Sequence, residues 1–147
     1  MCSSMTDYTS RVSVFEPCLL SLIETTIPIG VTFNTCGVAR KGLRYCFKSQ
    51  KLDVHIDICA LNGLWGGGIH IMTNTWGVSI PIIRCRSFVF SSFEECTKHF
   101  WAFADATICK YDELKKDYSQ FRKSFKNWQM LSMNDKLNSF KETTFYG

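Results

Sequence analysis

From Leu52 onward, apolar and polar residues alternate. Leu52, Val54, Ile56, Ile58 and Ala60 take one set of positions; Asp53, His55, Asp57 and Cys59 take the other. Successive side chains of an extended chain point to opposite faces, so this period predicts a half-buried strand. A second apolar run, Leu64 to Met72, follows Asn62-Gly63. That pair suits a two-residue type I′ turn, in which both central residues need positive φ. With Asn62-Gly63 at the turn, Leu61 lies opposite Leu64, Ile56 opposite Ile69, Val54 opposite Ile71 and His55 opposite His70. Apolar then meets apolar on one face, as a buried face requires.

The run before it, Leu43 to Lys48, extends the meander. A four-residue loop at Ser49–Leu52 sets Lys48 opposite Asp53, Cys46 opposite His55 and Arg44 opposite Asp57. The other face then pairs Phe47 with Val54, Tyr45 with Ile56 and Leu43 with Ile58. Both charged pairs have opposite signs, which favours this register by about 0.2–1 kcal/mol per pair. A further strand is expected at about Val78 to Arg84. Pro81 has no N–H to give a neighbour, so this strand belongs at an edge or carries a bulge.

The period then changes. Ser91 with Glu94, or Ser92 with Glu95, has capping-box spacing and marks a helix start. Phe93, Phe100, Thr107, Leu114, Phe121 and Trp128 follow at sevens; Thr97, Ala104, Tyr111, Tyr118 and Phe125 fall between them. Such heptads fit a dimerising coiled coil. They equally fit one long helix, or two broken near Lys110-Tyr111, laid on the sheet. Aromatic knobs and two Thr favour the intramolecular alternative. Ser132 to Phe140 predicts one more short helix and Thr143 to Gly147 a tail. Upstream, Met1–Val12 is polar, Ser13–Ile27 suggests a short helix ending before Pro28, Ile29–Asn34 a short strand, and Gly37–Gly42 a basic loop. The expected fold is α+β in one domain, residues 1–147. An antiparallel meander of four or five strands (about 29–84) packs on one long helix or a helical pair (about 91–141). Tyr45, Phe47, Val54, Ile56, Ile69, Ile71, Phe93, Phe100 and Ala104 should line the core.

Composition adds little to this picture. Twelve Phe and four Trp argue against disorder. No apolar run approaches the ~20 residues of a membrane span. Eight Cys could suggest a disulfide framework. However, Met1–Arg11 has no apolar core of a signal peptide, no Cys-x-x-Cys occurs, and several Cys fall within strand or helix patterns. Reduced thiols and a cytoplasmic location are the expectation. The net charge of +4 gathers in residues 40–60 and 110–147.

Several constellations could carry chemistry. Cys46, His55 and His70 align across three strands, with Ser79 next, and Cys plus two His is an acceptable zinc ligand set. Asp53 and Asp57 could form an acid/base pair, but each has a basic cross-strand partner, which suits salt bridges better. Gly66-Gly67-Gly68 weakens a strand. It admits close approach of a ligand or another chain, or marks a bulge or a helix crossing. Beside Trp65 and Trp76 it suits a protein interface made of Trp65, Gly66, Gly67, Gly68 and Trp76. Arg40, Lys41, Arg44 and Lys48 near Tyr45, and Lys115, Lys116, Arg122, Lys123 and Lys126 on the late helix, could grip nucleic acid or an acidic partner. No Gly-x-Ser-x-Gly occurs, and Cys96 with His99 lacks a third member.

Asn62-Gly63-x-Trp65 followed by Phe90-x-Ser92-x-Glu94-Glu95 resembles the sheet-then-helix layout of AP2-type and integrase arm-binding domains, over about residues 60–104. Those families read DNA with Arg and Lys on the sheet. Here Trp65 to Ile83 contains neither, so DNA binding does not carry over.

The expectation is therefore a small, non-enzymatic binding protein that needs no cofactor and acts through a protein surface. By association, such chains of phages and mobile elements often inhibit host nucleic-acid-targeting defence complexes, CRISPR effectors among them. The expected partner is a host protein or ribonucleoprotein complex, with nucleic-acid contact and homodimerisation as further arrangements and no membrane. The alternatives are a DNA- or RNA-binding accessory protein of a mobile element and a zinc-binding module or enzyme.

Overall fold

The computed structural model describes residues 31–145. The expectations for Met1–Val12 and Ser13–Ile27 lie outside that range. Six strands form one antiparallel sheet: β1 (Lys41–Lys48), β2 (Leu52–Leu61), β3 (Leu64–Thr73), β4 (Gly77–Ile80), β5 (Phe88–Phe90) and β6 (Lys141–Thr144). The order is β4-β3-β2-β1-β6, and β5 pairs with β3 beyond the end of β4. Three helices follow β5: α1 (Phe93–Ile108), α2 (Lys115–Gln129) and α3 (Met133–Asn138). This is the expected α+β class, with the helical pair in place of one long helix.

The register follows from the alternation. Lys48 pairs with Asp53, Cys46 with His55 and Arg44 with Asp57. Leu61 pairs with Leu64, Ile56 with Ile69 and His55 with His70. Asn62 and Gly63 have φ of 51° and 84°, the paired positive values of the predicted turn.

Three expectations need correction. The fourth strand stops at Ile80 rather than Arg84, because the chain leaves the sheet at Pro81. Ile29–Asn34 contributes, within its described part, only a single bridge from Phe33 to Ala39. The segment beginning at Thr143 is not all tail: Lys141–Thr144 pair with β1 as an edge strand.

Ser92 caps α1 by accepting the Glu95 N–H at 3.1 Å, while Glu95 reaches back to the Ser91 N–H at 2.9 Å. The heptad positions Phe93, Thr97, Phe100, Ala104, Leu114, Phe121 and Trp128 are buried within the chain. Thr97 fits there because its hydroxyl donates to the Phe93 carbonyl at 2.9 Å. The seam expected of a coiled coil is thus an internal face. Trp101 lies at its centre, stacked on Phe125 at 4.8 Å and tilted against Tyr45 at 5.0 Å. All the expected core residues are buried except Tyr45, which is half-buried.

The sheet is covered fully on one face and at one end of the other. The helices lie on the face of Leu43, Ile56, Ile69 and Ile71. A smaller cluster of Val31, Phe33, Ala39, Cys59, Leu61, Ile82 and Phe88 covers one end of the other face. The three glycines of β3 lie where both layers come close. A Cβ at Gly67 would collide with the Phe100 ring of α1 and with Cys96 Sγ. On the opposite face, a Cβ at Gly66 would lie 2.7 Å from the Phe88 ring, and one at Gly68 would strike the Ile80 carbonyl.

Asp117 joins α2 to the β1–β2 loop. Its carboxylate accepts from Ser49 Oγ at 2.5 Å and from the Lys51 N–H at 3.0 Å. Burial alone would raise its pKa, but these hydrogen bonds outweigh burial and hold the carboxyl below its ordinary value.

Two stability predictions follow from these contacts. Gly67→Ala should destabilise the protein by about 1–3 kcal/mol, read as a lowered midpoint of chemical denaturation, because the added methyl overpacks the strand against α1. Asp117→Asn should lose about 1–3 kcal/mol at pH 7. A depressed carboxyl stabilises the fold above its unfolded pKa and ceases to do so as pH falls through its folded value. The gap between wild type and Asp117→Asn should therefore close below about pH 4.

Candidate functional sites

Beyond the smaller cluster, the open face of the sheet carries a polar network that crosses four strands. Asp57 on β2 is buried at 2% exposure, although its side chain is ionisable. Arg44 on β1 binds it with two hydrogen bonds, Nε to Oδ1 at 2.6 Å and a terminal guanidinium nitrogen to Oδ2 at 3.0 Å. A planar fork on a carboxylate is the strongest pairing available to a buried acid. His70 on β3 reaches the same carboxylate, Nε2 to Oδ2 at 3.2 Å. Its other nitrogen, Nδ1, lies 3.0 Å from Ser79 Oγ on β4. The residue directly opposite Asp57 is Gly68, so no side chain stands between Asp57 and His70.

A carboxylate only accepts hydrogen bonds. The carboxylate 3.2 Å from Nε2 favours the neutral tautomer with its proton on that nitrogen, which leaves the Nδ1 lone pair facing the Ser79 hydroxyl. The result is a serine–histidine–aspartate chain with an arginine anchoring its buried end. The strand register places Cys46, His55, His70 and Ser79 in one row, but the diagonal from His70 to Asp57 has no local motif in the sequence.

The expected zinc set does not assemble. Cys46, His55 and His70 do occupy one row, but the His70 ring lies between Ser79, hydrogen-bonded at Nδ1, and the Asp57 carboxylate, 3.2 Å from Nε2. The His55 and His70 rings stand 6.5 Å apart at 74°. Among the described residues, no three His, Cys, Asp or Glu side chains converge as metal ligands would. Burial, with a smaller contribution from Arg44, pushes the His55 pKa down; burial pushes the Cys46 thiol up. His55 is therefore neutral, and Cys46 a protonated thiol, near neutral pH.

The expected interface is also corrected. Trp65 is fully buried against Phe93, and Gly66, Gly67 and Gly68 are covered by the chain's own layers. Trp76 is half-buried with its ring 4.6 Å from that of Tyr111. The glycines mark the helix crossing, one of the alternatives the strand pattern allowed.

The two basic groups differ. Arg44 is neutralised by Asp57 and half-buried, so it is not available to a polyanion. Lys48 is exposed and lies 3.8 Å from Asp53, a weak surface pair. Arg40 and Lys41 are exposed where the chain enters β1. On α2, in contrast, Lys115, Lys116, Arg122, Lys123 and Lys126 are all exposed. The helix contains one acid, Asp117, and it is turned inward to the β1–β2 loop. The outward side of α2 is therefore cationic over a span of roughly 15 Å between Lys116 and Lys126, at 1.5 Å per residue. Asp105 lies 4.0 Å from Arg122, at the rim of this face.

No helix of the described residues is long and apolar enough to cross a membrane. All six described cysteines are free.

Removing the anchor of the network should be costly. Arg44→Ala leaves a buried, charged Asp57 and should destabilise the fold by about 3–5 kcal/mol. Arg44→Ala combined with Asp57→Ala should lose less than Arg44→Ala alone. Urea denaturation of the three proteins checks the order.

Neither a protein-family model, nor a curated protein, nor a solved structure matches the chain.

Proposed function

We propose that the protein is a binding protein whose α2 face engages the polyanionic surface of a partner, a ribonucleoprotein or an acidic host protein. It would act there as an inhibitor of a host nucleic-acid-targeting defence complex encoded by a phage or mobile element. One observation carries the electrostatic part of this reading: all five cations of α2 face solvent, while its single acid is buried. A helix face with cations and no interleaved acid attracts phosphates or clustered carboxylates and releases their counterions on contact. The α2 aromatics are not displayed as stacking platforms: Phe121 and Trp128 are buried, and Tyr118 and Phe125 are half-buried. Contact through charge alone supports recognition of a backbone or an acidic surface rather than of bases.

The test is capture of partners from a host lysate by wild-type protein and by a Lys116→Glu/Arg122→Glu/Lys123→Glu variant, each with and without nuclease. These positions are exposed, so the variant should keep its circular dichroism spectrum. Wild-type capture should weaken steeply as salt rises, and the variant should capture at least about tenfold less, a difference of about 1.4 kcal/mol. A partner that survives nuclease identifies an acidic protein surface. One lost with nuclease identifies nucleic acid and favours an accessory role on DNA or RNA. Equal capture by variant and wild type would refute the α2 reading.

A further inference from the structure

We propose that Ser79 is an activated nucleophile that takes an acyl group from activated esters. This goes beyond the binding role of α2 and does not rest on it, since the residues lie on the opposite face of the sheet. Asp57, buried and held by Arg44, lies 3.2 Å from His70 Nε2, and its charge favours the tautomer with the proton there. Nδ1 then faces the Ser79 hydroxyl at 3.0 Å, within the reach a general base needs. Ser79 itself is exposed, whereas Asp57 is not. A reagent can therefore meet the nucleophile while the orienting carboxylate stays out of water.

The strand supplies one further group. Thr73 N–H donates to the Trp76 carbonyl at 2.9 Å, which makes that pair a hydrogen-bonded one. Bonded and non-bonded pairs alternate along an antiparallel ladder. Val78 and Ile80 are then the residues of β4 that bond to β3, and Ser79 faces His70 in a close, non-bonded pair. The Ser79 N–H consequently points away from β3, and among the described residues β4 ends the strand order on that side. A donor on the nucleophile's own residue can meet the oxyanion of an attacked carbonyl.

In the first step, Ser79 Oγ bonds to the ester carbonyl carbon and its proton passes to His70 Nδ1. The tetrahedral centre then collapses, the ester C–O bond breaks, and the alcohol leaves with that proton. In the second step, water attacks the acyl-serine, again with Nδ1 as base. The acid departs and the serine is restored. Two features set the pace. Arg44 offsets the charge with which Asp57 would stabilise the imidazolium, and a single N–H serves the oxyanion. Both steps are therefore slow; with an activated ester the good leaving group makes acylation the faster of the two, so the acyl-serine accumulates. Ser79 is exposed, so the ester's own reactivity, rather than its fit to a pocket, selects it.

The experiment treats the full chain with p-nitrophenyl acetate and, separately, with a fluorophosphonate, and reads adducts by intact-mass and peptide mass spectrometry. Wild type should carry one adduct on the Ser79 peptide. Ser79→Ala, at an exposed edge position, should keep the fold and lose that adduct. His70→Gln should label at least about 100-fold more slowly, the usual contribution of a positioned base. Adducts only elsewhere, an adduct retained in Ser79→Ala, or equal labelling of a folded His70→Gln would overturn the proposal. Should His70→Gln fail to fold, the Ser79→Ala comparison decides it alone.

Discussion

The close approach of two layers to one strand is the constraint on which the rest of this structure depends. β3 has no side chain at three successive positions, and each vacancy is filled from outside: by α1 over Gly67, by Phe88 over Gly66, and by the Ile80–Pro81 backbone and the Ile82 side chain over Gly68. A glycine triplet weakens an isolated strand, because it adds chain entropy and removes cross-strand side-chain contacts. Here the loss is offset by burial on both faces. Trp65, which precedes the triplet, and Ile69, which follows it, are fully buried. β2, on one flank of the triplet, runs its full length beside β3. On the other flank the chain leaves the sheet after Ile80 and returns at Phe88, and this detour becomes the outer layer.

That arrangement explains which parts of the fold were legible in the sequence. Registers set by a tight turn and by alternation are local, and Asn62-Gly63 with the Leu52–Ala60 pattern determined them residue by residue. Ser92 and Glu95 marked the start of α1 for the same reason. What escaped was non-local. β5 is three residues long, and β6 is a polar Lys-Glu-Thr-Thr segment; neither has an apolar period. Their strand character comes from docking on β3 and β1. The triplet was ambiguous in the same way: an exposed glycine edge and a glycine crossing have identical sequence. The choice between them rests on Phe100 and Phe88, which lie 33 and 22 positions after Gly67 and Gly66 respectively.

Charge was legible as pairs but not as a network. Cross-strand register correctly joined Arg44 to Asp57 and Lys48 to Asp53. The two pairs look alike in the sequence, yet Asp57 is buried and bidentate, while Lys48 lies at 80% side-chain exposure and 3.8 Å from its partner. The difference arises from position along the strand. Asp57 lies beside Gly68 and the edge of the outer cluster, which exclude water; Asp53 lies near the open hairpin end. The same logic separates Asp117 from the lysines around it. It falls on the side of α2 that faces the β1–β2 loop, so the helix's only negative charge is consumed internally and its outer face is left cationic, with Asp105 of α1 at the rim.

The polar face of the sheet can be understood as a consequence of partial cover. The outer cluster shields β2 and β3 only at the Cys59–Leu61 and Gly66–Gly68 end. Further along, side chains that point away from the helices meet solvent, and hydrophobic residues there would expose a sticky surface. Polar residues are the solution, but at the boundary of the cover they are half-desolvated and must bond to one another. Asp57 lies at that boundary. Its burial requires the Arg44 fork, its remaining lone pairs draw His70 across the gap left by Gly68, and His70 in turn orients towards Ser79 on the edge strand. Each polar contact after the first is placed by the one before it. A buried acid at the rim of a partial layer is therefore sufficient to order a histidine and a serine in line, without any local sequence motif to announce them.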